Sequence, residues 1–205
     1  MGIDLKDWKE FSVRDIFNIR NGKGITTEEI AEHKGTLEAV QSGEDMFGTI
    51  GYIDWNYCVK MNYTMTNKPC LVVARSGTSG YVSYHDSGCV VGDSAKLILL
   101  KDEKNADTLV YLFLQTLLNA NRYKFSFGNK VTTEKYEGLV LRLPSLASGA
   151  PDWAYMRKFM LRYYSAPLKT VIKSYFKSVP LGLYDSEKPV ADILSFLKGL
   201  TSEEE

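Results

Sequence analysis

Cysteine, histidine and net charge are all scarce here. Of 205 residues, three are Cys and two are His. Cys58, Cys70 and Cys89 lack C-x-x-C spacing, and with His33 and His85 as the available helpers they argue against a structural zinc site. An odd count with apolar flanks reads as small buried hydrophobes in a reducing compartment. Lys+Arg and Asp+Glu number 25 each, so the formal net charge is +0. That excludes a polycation that coats nucleic acid by bulk charge, and equally an acidic mimic. The longest apolar stretch, LVYLFLQTLL at 109–118, is too short to cross a bilayer. The opening MGIDLKDWKEF has no apolar signal core. A soluble cytoplasmic protein with no membrane association is expected.

Catalytic signatures are missing as well. There is no G-x-S-x-G elbow, Walker loop or H-E-x-x-H pair. GKGITT lacks the third glycine of a dinucleotide site. Acidic-x-Lys triplets at Asp7–Lys9, Glu32–Lys34 and Asp102–Lys104 have no upstream Pro-Asp, and the Pro-Asp at 151–152 has no such triplet after it. His85 beside Asp86 reads as a surface pair, and KDEKN at 101–105 as a solvated loop. No catalysis and no cofactor are expected.

What is present is an ordinary folding composition, 44% hydrophobic and 24% charged. The charge is unevenly spread. Residues 1–119 carry 12 basic and 16 acidic side chains, net −4. Residues 120–180 carry 11 basic and 3 acidic, net +8, and residues 181–205 carry 2 basic and 6 acidic, net −4. A basic block between acidic flanks fits a solvated charged helix or an anionic partner.

The pattern along the chain is mixed. Residues 8–20 read as a strand entry followed by a turn or strand. GKGITTEEIAEH (22–33) is a glycine turn leading into a short helix, with Thr26 and Glu29 at capping-box spacing. From 36 to 100, short Val/Ile/Leu/Tyr runs between glycine-bearing turns predict a compact, twisted sheet. GTIG (48–51) and GTSG (77–80) read as tight β turns within it. Residues 106–121 predict a helix with Leu109, Leu112, Phe113 and Leu117 on one face. YKFSFGNKVT (123–132) is a polar, aromatic loop or hairpin, and GLVLRLPS (138–145) a last strand. SLASGA (145–150) is a flexible linker candidate. A second long helix from 151 to about 178 places Trp153, Met156, Met160, Tyr163, Val171 and Tyr175 on one side. Lys158, Arg162, Lys169, Lys173 and Lys177 lie opposite, Pro167 interrupts, and a short helix at 190–200 precedes an acidic end. The expected fold class is α+β, a twisted-sheet domain with flanking helices and a long amphipathic C-terminal helix. The expected division is 1–148, 149–180 and 181–205.

Two polar segments stand out. Residues 74–85 present Arg75, Ser76, Thr78, Ser79, Tyr81 and Ser83 around two glycines. Residues 123–135 present Tyr123, Lys124, Ser126, Asn129, Lys130, Thr132 and Thr133. Lys and Arg neutralise phosphates, while Ser, Thr and Asn donate to phosphates or read base edges. An alternating strand with Tyr123, Phe125 and Phe127 inward is the plainer alternative for the second.

These pieces together resemble a known family. W-x-x-F-x-V-x-D-I-F at 8–17 is followed by NGKGIT at 21–26, GTIGYI at 48–53 and RSGTSGYVSYH at 75–85. VGDSAKLILL at 91–100, YKFSFGNK at 123–130, and L-x-L-P leading to PDWAYMRKFM within 139–160 complete the series. In order and spacing the chain resembles a target recognition domain of the specificity (S) subunit of type I restriction–modification systems, and the S subunits of BcgI-like enzymes. The resemblance implies a non-catalytic reader of double-stranded DNA that docks methyltransferase (M) and restriction (R) subunits. It implies DNA contacts from Lys23, Thr26, Arg75, Ser76, Thr78, Ser79, Tyr81, Tyr123, Lys124, Ser126, Asn129, Lys130 and Thr132. Trp153, Met156, Met160, Tyr163, Val171 and Tyr175 would then pack on a partner helix, giving a homodimer. The chain departs in having one such domain where a full subunit has two, in Pro167, and in reading EDMFG where many members carry an Asn-rich turn. A half-subunit, a fragment and a regulatory relative all fit. A protein-interaction module that binds methyltransferase or S-subunit helices without reading DNA is the alternative function.

Overall fold

The computed structural model describes residues 7–126 and 129–164. Expectations placed on Phe127, Pro167, Lys169, Val171, Lys173, Tyr175 and Lys177, and on the helix at 190–200, lie outside them. The chain divides after Trp153 into two units. Among the described residues no helix is long and apolar enough to cross a membrane.

The architecture is α+β with two twisted four-stranded sheets and a two-stranded pair. The expected region 36–100 therefore splits between sheets instead of forming one. The N-terminal strand β1 (Trp8–Ser12) pairs antiparallel with the last, β10 (Val140–Pro144). One helical turn, α1 (Val13–Ile16), separates β1 from β2 (Phe17–Asn21). The first sheet is wholly antiparallel in the order β2, β9 (Ala95–Leu100), β6 (Cys70–Ala74), β7 (Val82–His85). The second runs β4 (Thr49–Ile53), β3 (Lys34–Val40), β8 (Cys89–Val91), β5 (Met65–Thr66), with β3 and β8 parallel.

Burial follows sheet position. β6 is buried at every residue, as an interior strand covered on both faces should be. Val40, Cys70, Val72, Cys89, Val91, Ala95 and Leu97 form one core cluster shared by the two sheets. A second cluster packs Ile25, Ile30 and Cys58 against Leu37, Ile53 and Val90. It includes α2 (Thr27–Glu32), where the capping box forms as expected: Glu29 N–H donates to Thr26 Oγ1 and Thr26 N–H to Glu29 Oε2. It also includes α3 (Trp55–Lys60), which the sequence pattern did not indicate. All three cysteines are free and buried.

Helix α4 (Thr108–Ala120) lies inside the expected span, capped by Asp107 accepting from Val110 N–H. Its buried face is Val110, Tyr111, Phe113, Leu114 and Leu118. Of the expected stripe Phe113 is buried, while Leu109, Leu112 and Leu117 are half-buried at its edge, so the buried face is rotated from the expected one. Tyr111 sets the phase: its hydroxyl accepts the Leu100 N–H at 3.0 Å, which anchors the helix to β9.

Three other expectations change. GTIG is turn only at Gly48: Thr49 to Gly51 are strand, paired with β3, and Gly51 sits inside β4 pressed against Ile30, where a Cβ would come within 2.7 Å. GTSG does form the β6–β7 turn, with Gly77 and Gly80 at positive φ. SLASGA is a hydrogen-bonded turn: Leu146 N–H donates to Ala150 and Gly149 N–H to Leu146. His85 is no surface partner of Asp86. It is 3% exposed, bonded through Nε2 to Ser83 Oγ and through Nδ1 to Glu38 Oε2, both at 2.8 Å. Thr49 donates to the other oxygen of Glu38, so this line of bonds stitches β7 to β3 and β4. Burial opposes ionisation of Glu38, but the hydrogen bonds from His85 and Thr49 outweigh it and hold its carboxyl below the usual range. Ser83 is buried within its strand, so the Ser–His–Glu line has no approach for a substrate.

A helix occupies 153–164. Trp153 is half-buried, and its indole N–H donates to Asp102 at 3.1 Å. Met156 and Met160 are buried, Lys158, Arg162 and Tyr163 are exposed, and Tyr155 stacks on Phe159.

Candidate nucleic-acid interface

One end of the first sheet gathers most of the expected site residues. β2 ends there at Asn21, β6 at Ala74, and β9 and β7 begin there, so antiparallel pairing brings four strand ends side by side. The turn after β6 is rigid. Arg75 N–H donates to Ser94, Gly80 N–H to Ala74 and Tyr81 N–H to Thr78, all within 3.0 Å. Arg75 also reaches the Asp93 carbonyl through its guanidinium at 3.2 Å.

Helix α4 delivers the second segment to this turn. Asn119, near the helix end, accepts from Val82 N–H and donates to Val82 O, at 2.8 and 2.9 Å. The chain then makes a single 3-10 turn, Arg122–Lys124, beside the β6–β7 turn. The approach is close enough that a Cβ on Gly80 would meet Phe125 at 2.9 Å. The Arg122 guanidinium lies 5.6 Å from the Tyr81 ring and forms an ion pair with Glu44. The Arg122 hydrogen bond holds the Glu44 carboxyl below its usual range, while burial first, then the Glu44 charge, pushes the Tyr81 phenol up.

Ser126 and Asn129 exchange backbone hydrogen bonds. The Asn129 side chain donates to Lys124 O at 2.7 Å and accepts from Lys135 Nζ at 2.6 Å. Tyr123 is 79% exposed, against the alternating-strand reading, and Lys124 lies 5.9 Å from its ring. Phe125 turns inward to Tyr136. Lys124 and Lys130 are exposed.

Not every expected residue faces outward. Ser79 is buried and its hydroxyl donates to Arg75 O. The Thr26 and Thr132 hydroxyls cap α2 and α5 (Thr133–Glu137). Thr78 and Ser76 are half-buried. Lys23 is exposed, its ammonium on the Asn62 carbonyl and its N–H on Val91. The Ser79, Thr26 and Thr132 hydroxyls make local bonds that a sequence pattern does not separate from ligand bonding.

Other residues join the site unannounced. Arg122 and Lys135 belong to the basic block but carried no motif. Lys96 is a lone charge in the apolar run AKLILL. It is 3% exposed and donates to Asn21 Oδ1 and to Thr133 Oγ1, so it ties β9, β2 and α5 together. Burial, then the Arg75 charge, lowers its affinity for its proton.

A third segment reaches the same end from the β3–β4 connection. Met46 and Phe47 have φ of 48° and 58°, and Gly48 follows at 84°. Left-handed backbone costs an ordinary L-residue about 1–2 kcal/mol.

Residues 5–162 match the family described as the type I restriction modification DNA specificity domain. The chain belongs to that family. The specificity subunit S.BcgI of a type II restriction enzyme from Heyndrickxia coagulans is 27% identical over 164 residues, covering 77% of this chain and 44% of that protein. Among solved structures, the S subunit of a type I restriction–modification system from M. genitalium superposes with a TM-score of 0.58 at 16% identity, over 86% of this chain and 45% of that one. The HsdS subunit from Thermoanaerobacter tengcongensis gives 0.53 at 11%, over 98% and 46%. At these identities the structural likeness shows a shared fold. This specificity domain spans less than half the length of the relatives it matches.

Proposed function

We propose that this specificity domain reads double-stranded DNA in a sequence-specific way and directs methyltransferase and restriction subunits to the site, without performing chemistry itself. It acts as a half-subunit in the cytoplasm, and two copies pair through their C-terminal helices so that each reads one half of a two-part site. The observation that carries the reading is the gathering of cations near one sheet end, with Arg75 on the β6–β7 turn, Lys124 on the 3-10 turn beside it, Lys130 a few residues further on, and Lys135 on α5 bonded back to Asn129. Cations there neutralise phosphates and fix register, and the Ser, Asn and Tyr groups between them reach bases. The neutral chain keeps the surrounding field weak, so binding depends on this end and not on bulk charge.

The experiment is a titration of random and selected duplexes across a salt series, with the methyltransferase partner present. Affinity is expected to fall steeply with salt and to favour the selected duplex. No binding to any duplex in that complex would overturn the proposal.

A further inference from the structure

The turn at 43–48 carries side chains unsuited to its backbone. Asn and Gly take left-handed angles at little cost, and Met and Phe do not. Yet Met46 and Phe47 hold those angles while standing 74% and 61% exposed. Neither gains from burial in return. The conformation is fixed from both sides: Gln41 N–H donates to Gly48 O at 2.9 Å and Phe47 N–H to Glu44 O at 3.1 Å. Gly48 lies so close to the Gln41 carbonyl that a Cβ would approach within 2.4 Å. The Glu44–Arg122 ion pair then locks the turn to the cationic loop.

The geometry points to Met46 and Phe47 as an apolar wedge that enters the base stack of the duplex held by the neighbouring cationic loops. This rests on the DNA-reading proposal and adds a mechanism to it. Phe and Met are among the side chains that slide between base pairs, unstack one step and bend the duplex. A two-residue tip on a stiff turn suits that task. Arg122 neutralises Glu44, so the turn approaches a polyanion without that charge opposing it. Asp45 at the same tip is repelled by phosphate and accepts from base amino groups, which favours the bases as the target. Ile50 and Tyr52 extend an exposed apolar line along β4, and a protein surface seated there is the competing occupant.

The test uses the full chain with its methyltransferase partner. A duplex is selected from a random pool by the wild type and then labelled with 2-aminopurine at successive positions. The variant Met46→Asn/Phe47→Gly installs residues that favour this turn, so it folds and melts at or above the wild-type temperature. Wild type is expected to raise 2-aminopurine emission at one step. Phe47→Ala and the double variant lose that rise and bind about ten-fold or more weakly, the scale of one lost base–aromatic stack. Unchanged emission and affinity in the double variant, on a duplex the wild type selects, overturn the wedge and leave DNA reading intact. Loss of methyltransferase capture with DNA affinity retained assigns the turn to protein contact and also overturns it. Failure to select any duplex overturns DNA reading and the wedge together.

Discussion

Between the sheets, Ser83, His85, Glu38 and Thr49 satisfy one another, and nearer the loop end Lys96 is held by Asn21 and Thr133. At the loop surface, Tyr123, Lys124 and Lys130 project into solvent. Both regions are polar and both contain charge. They differ in where the hydrogen bonds end. The interior set closes on the protein, so its removal is a stability event. The surface set is held by backbone bonds, so its side chains are available to a ligand. Polar residues thus divide by their bonding, not by their residue type.

The largest expected effect breaks the interior set. His85→Leu strips Glu38 and Ser83 of their shared partner and leaves both half-buried or buried. Loss of about 2–3 kcal/mol in urea denaturation is expected. DNA affinity of the folded variant should stay near wild type. An affinity loss at temperatures where it remains folded would merge the two regions and defeat the comparison.

Asn119→Ala tests the joint between them. It frees the Val82 N–H, leaves Gln115 as the side-chain donor to Val82 O, and loosens the 3-10 turn that follows α4. About 1–2 kcal/mol of stability is expected to go, with water partly replacing the lost bonds. DNA binding should weaken several-fold as well, because Arg122 to Phe125 lose their fixed start. Isothermal titration beside thermal melts would expose either half failing.

Lys124→Ala/Lys130→Ala acts on the surface alone. Stability should change by no more than about 0.5 kcal/mol. The slope of log affinity against log salt should flatten by about 2, one phosphate per lysine. An unchanged slope would remove these lysines from the phosphate contacts.

How far each region was legible in the sequence follows the same division. The Thr26–Glu29 box needed a three-residue spacing and formed as read. The 123–130 loop was legible because its polar and cationic residues are neighbours in the chain. The His85 partner was not: Glu38 is 47 residues away, while Asp86 is adjacent. In GTIG only Gly48 is turn, since pairing with β3 decides that Thr49 to Gly51 are strand. Helix α4 was placed by periodicity, but its buried face was chosen by the Tyr111 bond to β9. EDMFG stood out as a departure from an Asn-rich turn, but nothing in Met and Phe announces that Met46 and Phe47 keep left-handed angles.

The smallest effect concerns a carboxylate outside the DNA end. Glu29 accepts from Tyr63 Oη at 2.7 Å, from Thr26 N–H and from Tyr57 Oη at 2.8 Å. Those bonds, Tyr63 first, pull its carboxyl down from 4.5 to about 2. A lowered native pKa means that the native state prefers the ionised form more than the unfolded chain does. Its stabilisation is therefore complete above about 4.5 and declines as pH falls toward 2. Glu29→Gln removes that contribution at neutral pH and has nothing left to lose near pH 2. The melting-temperature gap between wild type and variant should be small, since solvent still reaches and screens this half-buried group, and should close as pH falls through that window. Circular-dichroism melts between pH 7 and 2 check the sign. A gap that stays constant would place the role of Glu29 in packing, and a gap that widens in acid would contradict the hydrogen-bonded carboxylate itself.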